Sequence, residues 1–190
     1  LGYKRQSADE RSIIGGLPLV SQQPEVCGQL EIGSHNTIRE LSTIQRASRQ
    51  QGSTRIGDHN FIMPSVQIGH DAQVGNHVTI TNYSALAGHV VIEDHATLGI
   101  GVQLHQHARV GAYAMVGASA YVPRDVPPFV TVDGQSGCVV GLNKVGIKRH
   151  GFTTEEMNQL KQAYRLIYRS GLSAEEILQQ LEAKHKTGPA

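Results

Sequence analysis

The sequence predicts an all-β left-handed parallel β-helix, a solenoid of hexapeptide repeats, carrying a small α-helical domain at its C-terminal end. Three observations point there. Every sixth residue from Ile14 to Val122 is apolar, including Val20, Val26, Ile32, Ile38, Ile44 and, after one interruption at Gln50, Ile56, Ile62 and Ile68. A period of six fits neither an amphipathic helix nor an alternating strand. Small or slender residues recur four places after the apolar one, as at Val78, Ser84, Ala96, Ala108 and Ala114. Beyond Val122 the pattern gives way to prolines and then to two segments with helix-start grammar.

Each hexad supplies one large and one small inward side chain on a short strand, followed by a tight corner. Three hexads close one triangular coil, so residues eighteen apart stack, with neighbouring coils roughly 4.8 Å apart as adjacent strands are. Pro123, Pro127 and Pro128 remove backbone donors and end the regular coils. The expected domains are therefore a β-helix over residues 1–128 and a connector with a helical hairpin over 129–190. Residues 129–151 read as an extended, Gly-punctuated connector bearing Lys144, Lys148, Arg149 and His150. Thr153 and Glu156 form a capping box, with Phe152 and Met157 as a hydrophobic staple and Gly171 as the stop. Met157, Leu160, Tyr164 and Ile167 line that helix. Ser173 and Glu176 open a second one, with Ile177, Leu178 and Leu181 as its apolar stripe.

Composition agrees with a narrow prism. The 190 residues contain no Trp, only 5% aromatics and a formal charge of +1, which argues against a broadly basic nucleic-acid binder. Cys27 and Cys138 form no paired motif, and there is no signal peptide or long apolar segment. A soluble, cytoplasmic protein without stable membrane insertion is expected. The chain starts at Leu1 rather than Met, so further coils can precede it. Flat faces of stacked strands close most simply as a homotrimer, whose clefts between subunits suit ligands.

The eighteen-residue spacing gathers histidines at one corner. His70 stacks between Gly52 and Gly88, with Gln106 beyond, while Asp71, His89 and His107 form the adjacent column and His105 stands beside Gln106. A neutral imidazole can take a proton from an attacking hydroxyl, a carboxylate such as Asp71 can fix its tautomer, and the Gly88 N–H can receive an oxyanion. From spacing alone the same positions read more simply as solvent-facing corners, which His35, His59, His77 and His95 also occupy. No metal and no other cofactor is expected. The zinc sites of carbonic anhydrases on this type of prism need a close His pair and a third His about two coils earlier, and His105 finds Val110 where its partner would stand.

Longer motifs add a resemblance. Ile38-Arg39-Glu40 with Thr43-Ile44, Ile68-Gly69-His70-Asp71, Leu86-Ala87-Gly88-His89-Val90, His105-Gln106, Asp125-Val126-Pro127-Pro128, Gly146 to Phe152 and Ala163 to Gly171 together resemble the acyl-carrier-protein-dependent UDP-N-acetylglucosamine O-acyltransferases, which begin lipid A synthesis. The resemblance implies that His70 is the general base for the glucosamine 3-hydroxyl, that Asp71 orients it, and that the Gly88 N–H forms the oxyanion hole. It further implies that His89, His105 and Gln106 position substrate, that Asn143 and Arg149 contact the nucleotide, and that Ala118 limits acyl length. A 3-hydroxyacyl chain would pass directly from acyl carrier protein to the UDP-sugar nucleotide without a covalent enzyme intermediate. The sequence also departs from the family. Val20, Ser21 and Gln22 replace an Asp-Leu-Lys segment, Gln67 replaces a second active-site histidine, and Ser136 replaces another. These changes fall on the acceptor side.

Lys161, Arg165 and Arg169 recur every four residues on the first helix, a stripe that suits an acidic carrier protein and equally a solvated face; the resemblance favours docking. Three alternatives to O-acyl transfer stand beside it. They are N-acylation of a 3-amino sugar nucleotide, acetyl-CoA-dependent transfer by a related hexapeptide enzyme, and nucleotide binding without turnover.

Overall fold

A computed structural model describes residues 7–8 (backbone only), 11–22 and 25–186, with side chains described as far as residue 183. Two compact units emerge, Leu1–Asn143 and Lys144–Ala190. The first is a left-handed parallel β-helix. Among the described residues its strands form three sheets of eight, six and five members. All pairings are parallel except the last, between Val130–Asp133 and Cys138–Leu142.

The expected core lies inside this prism. Ile38, Ile62, Ile80, Leu98 and Val116 stack in one sheet, Ile44, Ile68, Leu86, Leu104 and Val122 in the second, and Ile56, Val74, Ile92 and Val110 in the third, all buried. Buried polar side chains take the small inward position at Asn36, Ser42, Thr54, Asn60 and Ser84, and in the column of the first sheet they lie only low in the stack, at Asn36 and Asn60. Their amides run along the axis. Asn36 Oδ1 accepts from the Asn60 N–H at 2.8 Å and Asn60 Oδ1 from the Val78 N–H at 2.7 Å, while the two Nδ2 groups donate to the Gly57 and Gly75 carbonyls. Thereafter Val78, Ala96 and Ala114 fill the column.

The eighteen-residue spacing holds from Arg55, which pairs with Gln73, up to Leu104, which pairs with Val122. Below that it fails. Thr43 pairs with Gln67, twenty-four places on, so the coil carries an extra hexad within residues 46–52. Ile13 pairs with Thr43, thirty places on, which puts twelve extra residues between the strands Ile13–Gly16 and Gln29–Ile32. Val20 and Val26 keep the six-residue phase but sit on that excursion rather than in the core, and Val26 is 56% exposed. Gln50 marks the smaller insertion; nothing in the phase marks the larger.

The coils also end later than the prolines suggested. Met115 pairs with Thr131 after only sixteen residues, because the proline-bearing corner makes just one ladder contact, between Val110 and Val126. The strand Val130–Asp133 rejoins the first sheet and Cys138–Leu142 turns back on it, so the compact unit runs to Asn143 rather than to residue 128.

The second unit holds α1 (Lys144–Arg149), α2 (Thr154–Arg169) and α3 (Ala174–Lys186). Lys144, Lys148 and Arg149 therefore lie on a short helix that buries Ile147, not on extended chain. Both capping boxes form. Glu156 N donates to Thr153 Oγ1 at 3.2 Å and Thr153 N to Glu156 Oε2 at 2.7 Å, and Ser173 and Glu176 repeat the exchange. Gly171 takes φ +72° just beyond the Ser170 C-cap, a backbone state that suits glycine. Ile167 and Leu178 belong to the outer faces, 46% and 58% exposed. Among the described residues no helix is long and apolar enough to cross a membrane.

Candidate active site

The strand Gln67–Ile68 delivers the chain to a corner at Gly69, His70 and Asp71. Asp71 adopts φ +59°, and His89 and His107 repeat that left-handed state one and two coils on, which the short polar and imidazole side chains tolerate. Their backbones interlock: His89 N donates to the His70 carbonyl and His107 N to the Gly88 carbonyl. The eighteen-residue columns thus hold here. His70 and His89 meet edge to face at 5.1 Å, and His89 stacks on His107 at 4.6 Å.

His70 Nδ1 lies 2.7 Å from Asp71 Oδ2. Burial pushes the Asp71 carboxyl up, but hydrogen bonds from His70 and Ser48 outweigh it and hold the group below its ordinary value. An ionised carboxylate can only accept, so in the neutral ring the His70 proton sits on Nδ1 and leaves the lone pair on Nε2. That nitrogen faces Gly88. A Cβ at Gly88 would stand 2.6 Å from His70 Nε2 and Cε1, so only glycine leaves the ring its place. The Gly88 N–H donates to no described residue.

His89 Nε2 stands 3.8 Å from the same Asp71 oxygen. Burial lowers the affinity of this imidazole for a proton; Asp71 opposes that, and His107, His70 and Arg49 reinforce it. The net direction is downward, which disfavours the ion pair that a protonated ring would make with this carboxylate. His70, Asp71 and His89 also place three potential metal-ligating atoms within 4.8 Å of one another. These are the residues that could hold an ion, although Asp71 Oδ2 is already an acceptor for both His70 and Ser48.

A groove of about 510 Å³ opens along the outer face of the second sheet, and Gln67, His70, Gly88, His105, Gln106 and Tyr121 line it. Five of these six were expected from the sequence. Tyr121 was not, nor were Leu19, on the twelve-residue excursion, and Gln45, at the end of the strand Thr43–Gln45, which are linked by a hydrogen bond from Leu19 N to Gln45 Oε1 at 3.1 Å. His105 Nδ1 lies 3.1 Å from the Gln106 carbonyl oxygen. Ala118 is exposed just before Tyr121–Val122, outside the groove lining. Asn143 lies at another corner, where its Nδ2 donates to the Tyr113 carbonyl at 2.9 Å. Arg149 ends α1 in the second unit, and Lys161, Arg165 and Arg169 follow one another at four-residue steps on α2. A larger hollow of about 850 Å³ on the third sheet lacks histidine, and its Arg55 and Glu31 pair with each other at 3.0 Å.

Known proteins match this arrangement. Residues 53–88 fit the bacterial transferase hexapeptide family, and residues 125–190 fit the second domain of UDP-N-acetylglucosamine O-acyltransferase. A protein of Burkholderia orbicola named acyl-(acyl-carrier-protein) UDP-N-acetylglucosamine O-acyltransferase is 40% identical over 176 residues, covering 92% of this chain and 67% of its own length. The chain belongs to the UDP-N-acetylglucosamine O-acyltransferase family. The family's Halorhodospira halophila member is 49% identical over 145 residues, 76% of this chain and 56% of that one. The crystal structure of the Moraxella catarrhalis member superposes with a TM-score of 0.89 at 36% identity, covering 94% of this chain and 70% of that chain. This chain spans 56% to 62% of the length of the first curated relatives of the family that it matches.

Proposed function

We propose that this protein transfers a 3-hydroxyacyl chain from acyl carrier protein to the 3-hydroxyl of UDP-N-acetylglucosamine, the step that opens lipid A assembly. The single observation that carries this reading is the His70–Asp71 pair, with His70 Nε2 turned towards Gly88 on the wall of a groove. Nε2 takes the proton of the sugar hydroxyl as its oxygen attacks the thioester carbonyl carbon. The carbonyl oxygen gains negative charge and is met by the Gly88 N–H. Collapse breaks the carbon–sulfur bond, and the departing carrier thiolate recovers the proton from His70. Burial beside Asp71 keeps the imidazole in the one tautomer this sequence needs.

His89, His105 and Gln106 position the substrates, and Ala118 limits the length of the acyl chain. The protein would be a cytoplasmic homotrimer with clefts between subunits; Asn143 and Arg149 would each contact the nucleotide, and Lys161, Arg165 and Arg169 would receive the acidic carrier. Gln67 on the groove wall, in place of a histidine, favours a second reading of the acceptor alone: a 3-amino sugar nucleotide acylated to an amide. The test is a transfer assay with 3-hydroxyacyl carrier proteins, acetyl-CoA and a panel of UDP sugars, read by mass spectrometry. Wild-type turnover that His70→Ala abolishes, with the sedimenting trimer intact, supports the reading; full activity in His70→Ala rejects it.

A further inference from the structure

The extra hexad within residues 46–52 runs directly below the His70 corner. It carries Ser48, whose N–H and hydroxyl both donate to Asp71 Oδ2, at 3.1 and 2.7 Å. From the strand above the insertion, Thr54 Oγ1 accepts the Asp71 N–H at 2.8 Å. The other carboxylate oxygen faces Gly52, where a Cβ would lie 3.0 Å from Asp71 Oδ1 and 3.1 Å from the Arg49 carbonyl. Oδ2 therefore receives three donors, two from Ser48 and one from His70, and the Asp71 side chain is only 13% exposed.

From this geometry we infer that Ser48 is a positioning residue for acyl transfer: its two hydrogen bonds aim Asp71 at His70 Nδ1 and so set the tautomer of the base. The inference rests on His70 being that base. Around the pair stand His89, 3.8 Å from Asp71, then His107 stacked on His89, with the charge of Arg49 acting on His89. Without the hydroxyl, Asp71 keeps only one bond from Ser48. The carboxylate becomes more basic, so it protonates sooner and stabilises the charged imidazolium more; both effects move the acid limb of activity to higher pH.

The experiment compares wild type, Ser48→Ala and Ser48→Thr as full chains. Ser48→Ala should lower kcat about tenfold, the worth of one hydrogen bond to a charged group, with KM within about twofold. Its acid limb should move up in pH, and Ser48→Thr, which keeps the hydroxyl, should restore both. Nitrogen-15 NMR of the histidine rings adds a readout independent of turnover: His70 protonated on Nδ1 in wild type and Ser48→Thr, and mixed tautomers in Ser48→Ala. An unchanged rate, pH profile and tautomer in Ser48→Ala would overturn the inference, as would a loss of rate that Ser48→Thr fails to rescue while the tautomer stays fixed. Should no acceptor turn over, the functional reading fails and the tautomer measurement still decides the role of Ser48.

Discussion

Gly88 shows how little room the corner leaves. In Gly88→Ala the methyl must displace the His70 ring, since the two would otherwise be 2.6 Å apart, and moving a base by about 1 Å costs about a hundredfold in rate. We expect kcat to fall on that scale while circular dichroism of the β-helix is unchanged. Acid sensitivity follows from the neighbouring groups. Unfolded His89 charges near 6.5, whereas the folded ring, desolvated and flanked by His107, resists protonation until lower pH. Stability is full above 6.5 and falls as pH drops through the folded value. Asp71 acts in the same sense further down: its stabilisation is present above 3.8 and is lost as pH falls through its depressed folded value. Denaturant midpoints measured from pH 7 to pH 3 should decline in two stages, with His89→Asn flattening the upper one. This corner was legible in the sequence because it lies between residues 69 and 107, where the spacing really is eighteen. Ser48 was not legible, because it lies on an insertion that the spacing does not contain.

Among the elements, the capping boxes of α2 and α3 were readable from four residues each, since capping is local chemistry that needs no tertiary partner. The helix α1 was hidden. Its six residues include Gly146, and a single Asn143 before Lys144 is a weak start signal for so short a helix, which the burial of Ile147 supports. Thr153→Ala should cost the helical unit about 1 kcal/mol, seen as earlier loss of helical signal on heating, whereas Thr153→Ser should cost little. The prolines were read as a stop because they forbid ladder hydrogen bonds. The chain instead lets them take a shortened corner and then re-enters the first sheet two residues early.

At the scale of the β-helix unit, hexad phase and coil register are different quantities. Insertions of six and twelve residues alter the register and leave the phase untouched, which is why Val20 and Val26 fell on the beat without entering the core. Only Gln50 betrayed the smaller one. Val20, Ser21 and Gln22 lie on the twelve-residue excursion, away from the regular strands. Leu19 on that excursion reaches the groove wall, so an Ala scan of residues 19–22 should change preference among UDP sugars with little effect on the carrier-protein donor. Equal losses for both substrates would reject that division.

A stack of near-identical coils has a translational ambiguity: slide it by one coil and isoleucine still meets isoleucine, valine still meets valine. The buried amides of Asn36 and Asn60 remove it. Displaced by one level, they would face alkyl walls with several polar atoms unmatched, at about 1–3 kcal/mol for each group left bare. With buried Ser42, Thr54 and Ser84 in the other columns, they serve as an address in a repetitive text. Replacing both with Val should leave a chain that still coils and is still apolar inside, yet samples more than one alignment, visible as doubled amide resonances for residues 36–80. Such a protein would have a core everywhere and a corner at His70 only some of the time.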